Sequence, residues 1–285
     1  MRSLAAALAA AVVTVSSLAA GQELVGQKET VFTVSERVAS GGAVRIFSRT
    51  GDISIIEGAG DMVEYRAEKE VRRGRVEDIG FRVVRGSGGV TICAVYSEDD
   101  DCDAGGIHGD RGWNWGRTWR SRASVTITVK VPKGVLLHAS SGNGDVAVAV
   151  AASEARVSSG NGKIRVSGVM GRVDASSGNG DVTVQNAGGP VSAHSGNGAI
   201  RASMDRTGTE DLEFSSGNGH IEITMPADFS AEVDASTGNG SVSVDFPITL
   251  VGRFSKSRVR GTIGNGGRRL RISSGNGSIE IRKRA

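Results

Sequence analysis

Beyond its first 20 residues this 285-residue chain has no long apolar run. Nothing downstream has the length of a membrane-spanning helix. Only two cysteines are present, Cys93 and Cys102. A metal centre would want more ligands, so in an exported chain the pair reads as a disulfide, and closing so short a loop contributes about 2–3 kcal/mol. The four histidines, His108, His138, His194 and His220, show no zincin spacing, and no Gly-x-Ser-x-Gly nucleophile elbow occurs. Charge of one sign is also lacking, with 34 basic against 31 acidic residues and a net charge of +3. That near-neutral balance points away from a nucleic-acid partner.

The first 20 residues read as a secretory leader. Arg2 supplies the charged start, residues 4–15 the apolar stretch, and Ser17-Leu18-Ala19 or Ala20 the small-residue cleavage site. No cysteine stands directly after that site, so a lipid anchor is not expected. The expectation is export, to the periplasm, the cell surface or the medium.

What the chain has in excess is glycine, 42 residues, about twice average usage. The excess has a pattern. Ser-Gly-Asn-Gly begins at Ser141, Ser159, Ser177, Ser195, Ser216 and Ser274, with Thr-Gly-Asn-Gly at Thr237. The first three steps are 18 residues and the next two are 21. A motif returning at a fixed period marks a repeat architecture. Around each copy apolar residues alternate with polar ones, as in Val173, Ala175, Val182 and Val184 against Asp174 and Thr183. Period-two alternation means half-buried strands on both sides of each Gly-Asn-Gly.

Antiparallel hairpins and a parallel β-solenoid both fit Asn-Gly turns. Seven copies of Ser or Thr before the turn favour the solenoid, because stacked coils let identical polar side chains bond up and down a ladder. The fold expected is all-β: a parallel β-solenoid of about seven Gly-Asn-Gly-cornered coils, preceded by a β-rich N-terminal region. Asn143, Asn161, Asn179, Asn197, Asn218, Asn239 and Asn276 should form one column, with Asn265 outside it. Asp145, Lys163 and Asp181 should form a second column of alternating sign. The corner glycines supply positive φ. The last strand, near Ile279 and Ile281, should end the solenoid, and Arg282, Lys283 and Arg284 should guard that open edge by like-charge repulsion. An alternative has the basic tail, with Arg268, Arg269 and Arg271, attracting an anionic surface.

The domain reading is a leader over 1–20, a β-rich or capping region over 21–131, and the solenoid over 132–285. In the first region residues 44–55 look like a degenerate coil, and 63–71, 81–84, 90–95 and 125–131 read as strands. Residues 97–122 are an insertion of different character. It carries an acidic run, Asp99-Asp100-Asp101-Cys102-Asp103, and all three tryptophans, Trp113, Trp115 and Trp119. The acidic run lacks EF-hand spacing and reads as a solvated loop, so no metal and no cofactor are expected. The tryptophans support two readings, a binding surface or a cap over the solenoid's open end.

Three segments resemble the bacterial putative-adhesin family. They are Thr50-Gly51-Asp52-Ile53, the run Val125-Thr126-Ile127-Thr128-Val129-Lys130-Val131-Pro132-Lys133-Gly134-Val135, and the run from Met225-Pro226-Ala227 to Thr237-Gly238. The resemblance covers nearly all of the mature chain and implies an exported β-solenoid without known catalytic residues. The function expected is a non-enzymatic module at the cell envelope, with a glycan or an envelope protein as partner. The alternative is a polysaccharide-active enzyme using the outward carboxylates Asp174, Glu213 and Asp234.

Overall fold

The computed structural model describes residues 24–86, 88–109, 122–206, 208–251 and 255–284. Strand Arg172–Asn179 shows how the sequence makes the fold: Val173, Ala175 and Ser177 are buried while Asp174 and Ser176 face outward. The same parity holds in its neighbours, so two sheets face each other with one continuous apolar core between them. One sheet has 13 strands and the other 11. Each coil places the strand before Gly-Asn-Gly in the larger sheet and the strand after it in the smaller.

Like positions stack in parallel register: Asn143 on Asn161, Asn161 on Asn179, Asn179 on Asn197, Asn197 on Asn218. The solenoid, not the hairpin meander, is therefore the architecture. The β-rich region before residue 132 contributes two rungs to the same sheets. Strands Ala43–Thr50 and Ile53–Glu57 form one coil against Leu136–Asn143 and Val146–Ala149. Gly89–Val95 and Arg122–Val131 form another on its far side. With the seven motif coils this makes nine parallel rungs, a rod of about 38 Å at 4.8 Å per rung.

The C-terminal order differs from expectation. The coil Arg269–Asn276 and Ile279–Lys283 lies between Leu212–Asn218 and Ala231–Asn239 in one sheet, and between Ile221–Met225 and Val242–Val244 in the other. The last strand is interior and exposes no open edge. Nor do its basic residues stand off as a repulsive tail. Arg282 bonds Glu222 at 2.7 Å and Glu280 at 2.6 Å, and Arg284 bonds Asp205 at 2.5 Å and Ser203 at 2.8 Å. Opposite charges were available on the adjacent coils, and pairing prevailed over repulsion.

The two polar columns take different partners. The asparagines bond side chain to side chain, each Nδ2 donating to the next Oδ1 at 2.6–2.8 Å. The hydroxyls do not form a ladder with one another. Ser159 donates to the Gly144 carbonyl and Ser177 to the Gly162 carbonyl, both at 2.8 Å, and Thr237 does the same to Gly277. These hydroxyls are buried, so each satisfies a carbonyl that the corner would otherwise leave unpaired. The Asp145 column also departs from simple charge alternation. Asp145 accepts from the Lys163 backbone N–H at 2.7 Å, and Asp181 accepts from the Ala199 N–H at 2.9 Å.

Glycine at the corners is required mainly by the coil beneath. A Cβ at Gly162 would lie 2.0 Å from the Gly144 carbonyl oxygen, and one at Gly160 would lie 2.4 Å from that of Gly142. Neither of these two has a positive φ, whereas Gly144, Gly180, Gly240 and Gly277 have φ of 147–157°, as expected of corner glycines. Asn265 lies off the column, in the link after strand Arg258–Ile263, where its N–H meets Ser230.

Antiparallel strands close the larger sheet at both ends. Gly80–Gly86 and Leu24–Val25 follow the first rung, and Arg258–Ile263 and Ile248–Leu250 follow the last. Met62–Arg73 and Val31–Arg37 do the same for the smaller sheet at the N-terminal end. There Lys69 is buried, and its ammonium donates to the carbonyls of Gly26, Gln27, Val76 and Ile79 at 2.6–3.1 Å. Burial pushes the ammonium down to about 8, against the opposing pull of Glu29 and Glu77. One side chain thus ties the first strand and the 76–79 turn to the end of the rod.

Candidate interaction surface

In the motif coils a Gly-Asn-Gly corner joins the two sheets. In the first rung the chain leaves Gly89–Val95 and re-enters at Arg122–Val131, so the insertion stands where that corner would be. The neighbouring coil places Thr50 level with Asn143. The insertion is therefore rooted at the N-terminal end of the asparagine column.

Its root is firmly held. Hairpin Asp101–Asp103 and Gly106–His108 packs through Cys102 and Ile107 on Phe47, Cys93 and Val95. A disulfide joins Cys93 to Cys102 with Cα atoms 6.1 Å apart. Asp100 is buried; its carboxylate accepts from Arg49 at 2.6 Å and from the Tyr96 N–H at 3.1 Å. Tyr96 in turn donates its hydroxyl to the Thr50 carbonyl at 2.8 Å, and burial pushes that hydroxyl up to about 12. Asp103 accepts from His108 and from the Gly105 N–H, bonds that hold its carboxyl below the usual range. The acidic run thus has structural partners at Asp100 and Asp103. Among the described residues no three His, Cys, Asp or Glu side chains gather as a metal would need. Trp113, Trp115 and Trp119 lie outside the described residues. The roles of Arg49 and Tyr96 had no signal in the sequence, because their partners are 51 and 46 residues away.

Beside the hairpin, the outer face of the larger sheet carries a row of one residue per strand from the second rung to the closing strand Arg258–Ile263: Arg45, His138, Arg156, Asp174, Ser192, Glu213, Arg271, Asp234 and Arg260. Burial lowers the His138 imidazole, and the Arg156 and Arg45 guanidiniums lower it further. Its ring meets Phe47 edge-on at 4.8 Å. The three outward carboxylates do share this row, but two rungs separate each from the next, about 9.6 Å at 4.8 Å per rung. That is at the wide limit of the roughly 6.5–9.5 Å that inverting glycosidases use. Asp174 lies 3.7 Å from Arg156, and Asp234 lies 2.5 Å from Arg260 and 3.6 Å from Arg258. Ser192 Oγ lies 3.0 Å from His194 Nε2 on the same open face. Near the N-terminal end an open cleft of about 420 Å³ runs between residues 38–42 and Gly86, Gly88, Gly89 and Val90, with the Arg85–Glu36 ion pair on its rim. No helix among the described residues is long and apolar enough to cross a membrane.

Stacked parallel coils, capped by antiparallel strands and carrying one disulfide-held insertion, define a two-sheet β-solenoid. The profile of the Toastrack DUF4097 family matches residues 133–282, and the chain belongs to that family. Solved structures similar to this chain include a putative adhesin from Bacteroides fragilis, 15% identical, covering 90% of this chain and 98% of that one, TM-score 0.41. Another is a putative cell adhesion protein from Clostridium sporogenes, 12% identical, covering 89% and 100%, TM-score 0.34. Likeness at this level carries no weight for ligand or role. No curated protein is significantly similar to this chain.

Proposed function

We propose that this protein is an exported, non-enzymatic, adhesin-like module that presents its corner insertion, with Trp113, Trp115 and Trp119, to a glycan or a protein of the cell envelope. The observation that carries this reading is the position of the insertion. It replaces a corner, is rooted by the Cys93–Cys102 disulfide, and continues the line of the asparagine column. A rigid base beneath a run of tryptophans suits recognition, because less ordering is left for the moment of binding. The disulfide and the leader over residues 1–20 support an oxidising, extracytoplasmic location.

The test combines a glycan array and an envelope-protein pull-down with an assay for released reducing ends. Replacing all three tryptophans with Ala should reduce capture at least about tenfold while leaving Tm within about 2 °C. A fall in Tm of more than about 5 °C would assign the tryptophans to a cap instead. Release of reducing ends by the wild type, lost in D174N or E213Q, would overturn the non-enzymatic reading.

A further inference from the structure

The two coils that flank the C-terminal coil make no ladder with each other. Leu270 lies between Leu212 and Val233, Ile272 between Phe214 and Ala235, and Asn276 between Asn218 and Asn239. Ile279 and Ile281 lie likewise between Ile221 and Ile223 on one side and Val242 and Val244 on the other. The slot is a general one. Its walls carry the same alternation and the same motif as every other coil, so the matching coil of a second copy fits it as well as the chain's own.

The coil's covalent tie is short and easily reshaped. Residues 264–268 cross over Ser230 to join strand Arg258–Ile263 to strand Arg269–Asn276. Gly264, Gly266 and Gly267 in this link have φ of 57°, 73° and 102°, and nothing lies within 4 Å of where a Cβ of Gly267 would be. Beside them Arg268 rests over the Phe229 ring at 5.6 Å, with its buried Nη1 lacking a hydrogen-bond partner. A desolvated guanidinium N–H without an acceptor works against the closed link, and straightening the link returns it to water. The coil's outer contacts, Arg282 to Glu222 and Arg284 to Asp205 and Ser203, join it to other coils and form equally well between copies.

We propose that the C-terminal coil exchanges between two copies of this chain, each inserting its own coil into the other's slot. The partner is a second copy, joined at the C-terminal end of the rod. A five-residue link spans up to about 17 Å when extended, well beyond the roughly 10 Å of the two strand spacings it covers in the closed chain.

The test uses single-cysteine variants. Ser273 of the coil pairs in register with Ser215 on one wall of the slot, and neighbouring parallel strands place Cα atoms within the 4.4–6.8 Å range of a disulfide. S215C and S273C are unfolded together, refolded at high protein concentration with the Cys93–Cys102 bond intact, and oxidised. The expected product is a covalent heterodimer that increases with concentration and exceeds, at least about tenfold, the product of S273C with S158C, whose position lies in a distant coil. S215C/S273C in one chain should close its disulfide internally on dilute refolding, which verifies the geometry. A heterodimer yield no greater than the S158C control, with the double variant closing normally, overturns the proposal.

Discussion

Ser177 and Asn179 stand two residues apart in one strand, yet they hold the rod in different ways. Ser177 is buried and donates to the Gly162 carbonyl; Asn179 is exposed and shares bonds with Asn161 and Asn197. Losing a hydrogen bond made by a buried hydroxyl costs about 1–3 kcal/mol, whereas water replaces an exposed amide bond at small cost. S177A should therefore destabilise by about 1–3 kcal/mol and N179A by less than about 1, measured by urea unfolding; equal losses would refute the distinction. The burial of Ser177 was legible in the sequence but its partner was not: the motif hydroxyls were expected to bond one another, and they meet glycine carbonyls instead. Ser177 has the parity of Val173 and Ala175, so the alternation that marks the core also marks the serine as inward. Asn179 falls on the corner, where only the repeat of the motif identifies its neighbours.

His138 gives the same face a dependence on pH. Its folded pKa lies below the ordinary 6.5, first through burial and then through Arg156 and Arg45. As pH falls through 6.5 the unfolded chain takes up the proton more readily, so this residue's contribution to stability declines toward the folded pKa. H138Q should flatten the fall of the urea-unfolding midpoint as pH drops below about 6.5, relative to wild type. An unchanged slope would place the sensitivity elsewhere.

Among elements, the existence of each coil was readable and the order of two was not. Strands such as Glu154–Asn161 and Ile164–Ser167 lie where the alternation placed them. The coil at 43–57 is flanked by two later segments, 89–131 and 136–149, and the coil at 269–283 by two earlier ones. A repeated pattern fits every slot equally, so it specifies a coil without its place in the stack. The insertion's position was hidden for a related reason. The first rung is assembled from Gly89–Val95 and Arg122–Val131, which the insertion separates. Deleting residues 269–285 should therefore cost more than one coil. Ala231–Asn239 would lose its parallel partner and Leu212–Asn218 would become an open edge, a template for aggregation. Limited proteolysis of this truncation should cut within 226–268 and leave a core ending near Met225. A truncation as resistant as the full chain would mean that the two flanking coils can close on each other.

At the scale of the whole molecule the rod is nearly one-dimensional, since each rung pairs only with its neighbours. Stability in such an array is a sum of rung and interface contributions, and opening begins where a neighbour is missing. The two ends are not equivalent. The N-terminal end has antiparallel strands on both sheets, the Lys69 clamp and the disulfide-held hairpin. At the C-terminal end the smaller sheet stops at the three-residue strand Val242–Val244, and Leu250 and Val251 are exposed. Native-state hydrogen exchange should then show a gradient: slowest amides in Glu154–Asn161, Arg172–Asn179 and Val191–Asn197, intermediate in Val31–Arg37, fastest in Ile248–Leu250 and Arg258–Ile263. Reducing Cys93–Cys102 should speed exchange in Gly89–Val95 and the hairpin without altering the three central strands, because even the nearest of them, Glu154–Asn161, lies three rungs from the first. Uniform protection along the rod, or a loss at its centre on reduction, would mean that the coils unfold as a single unit and that the nearest-neighbour account of this fold is wrong.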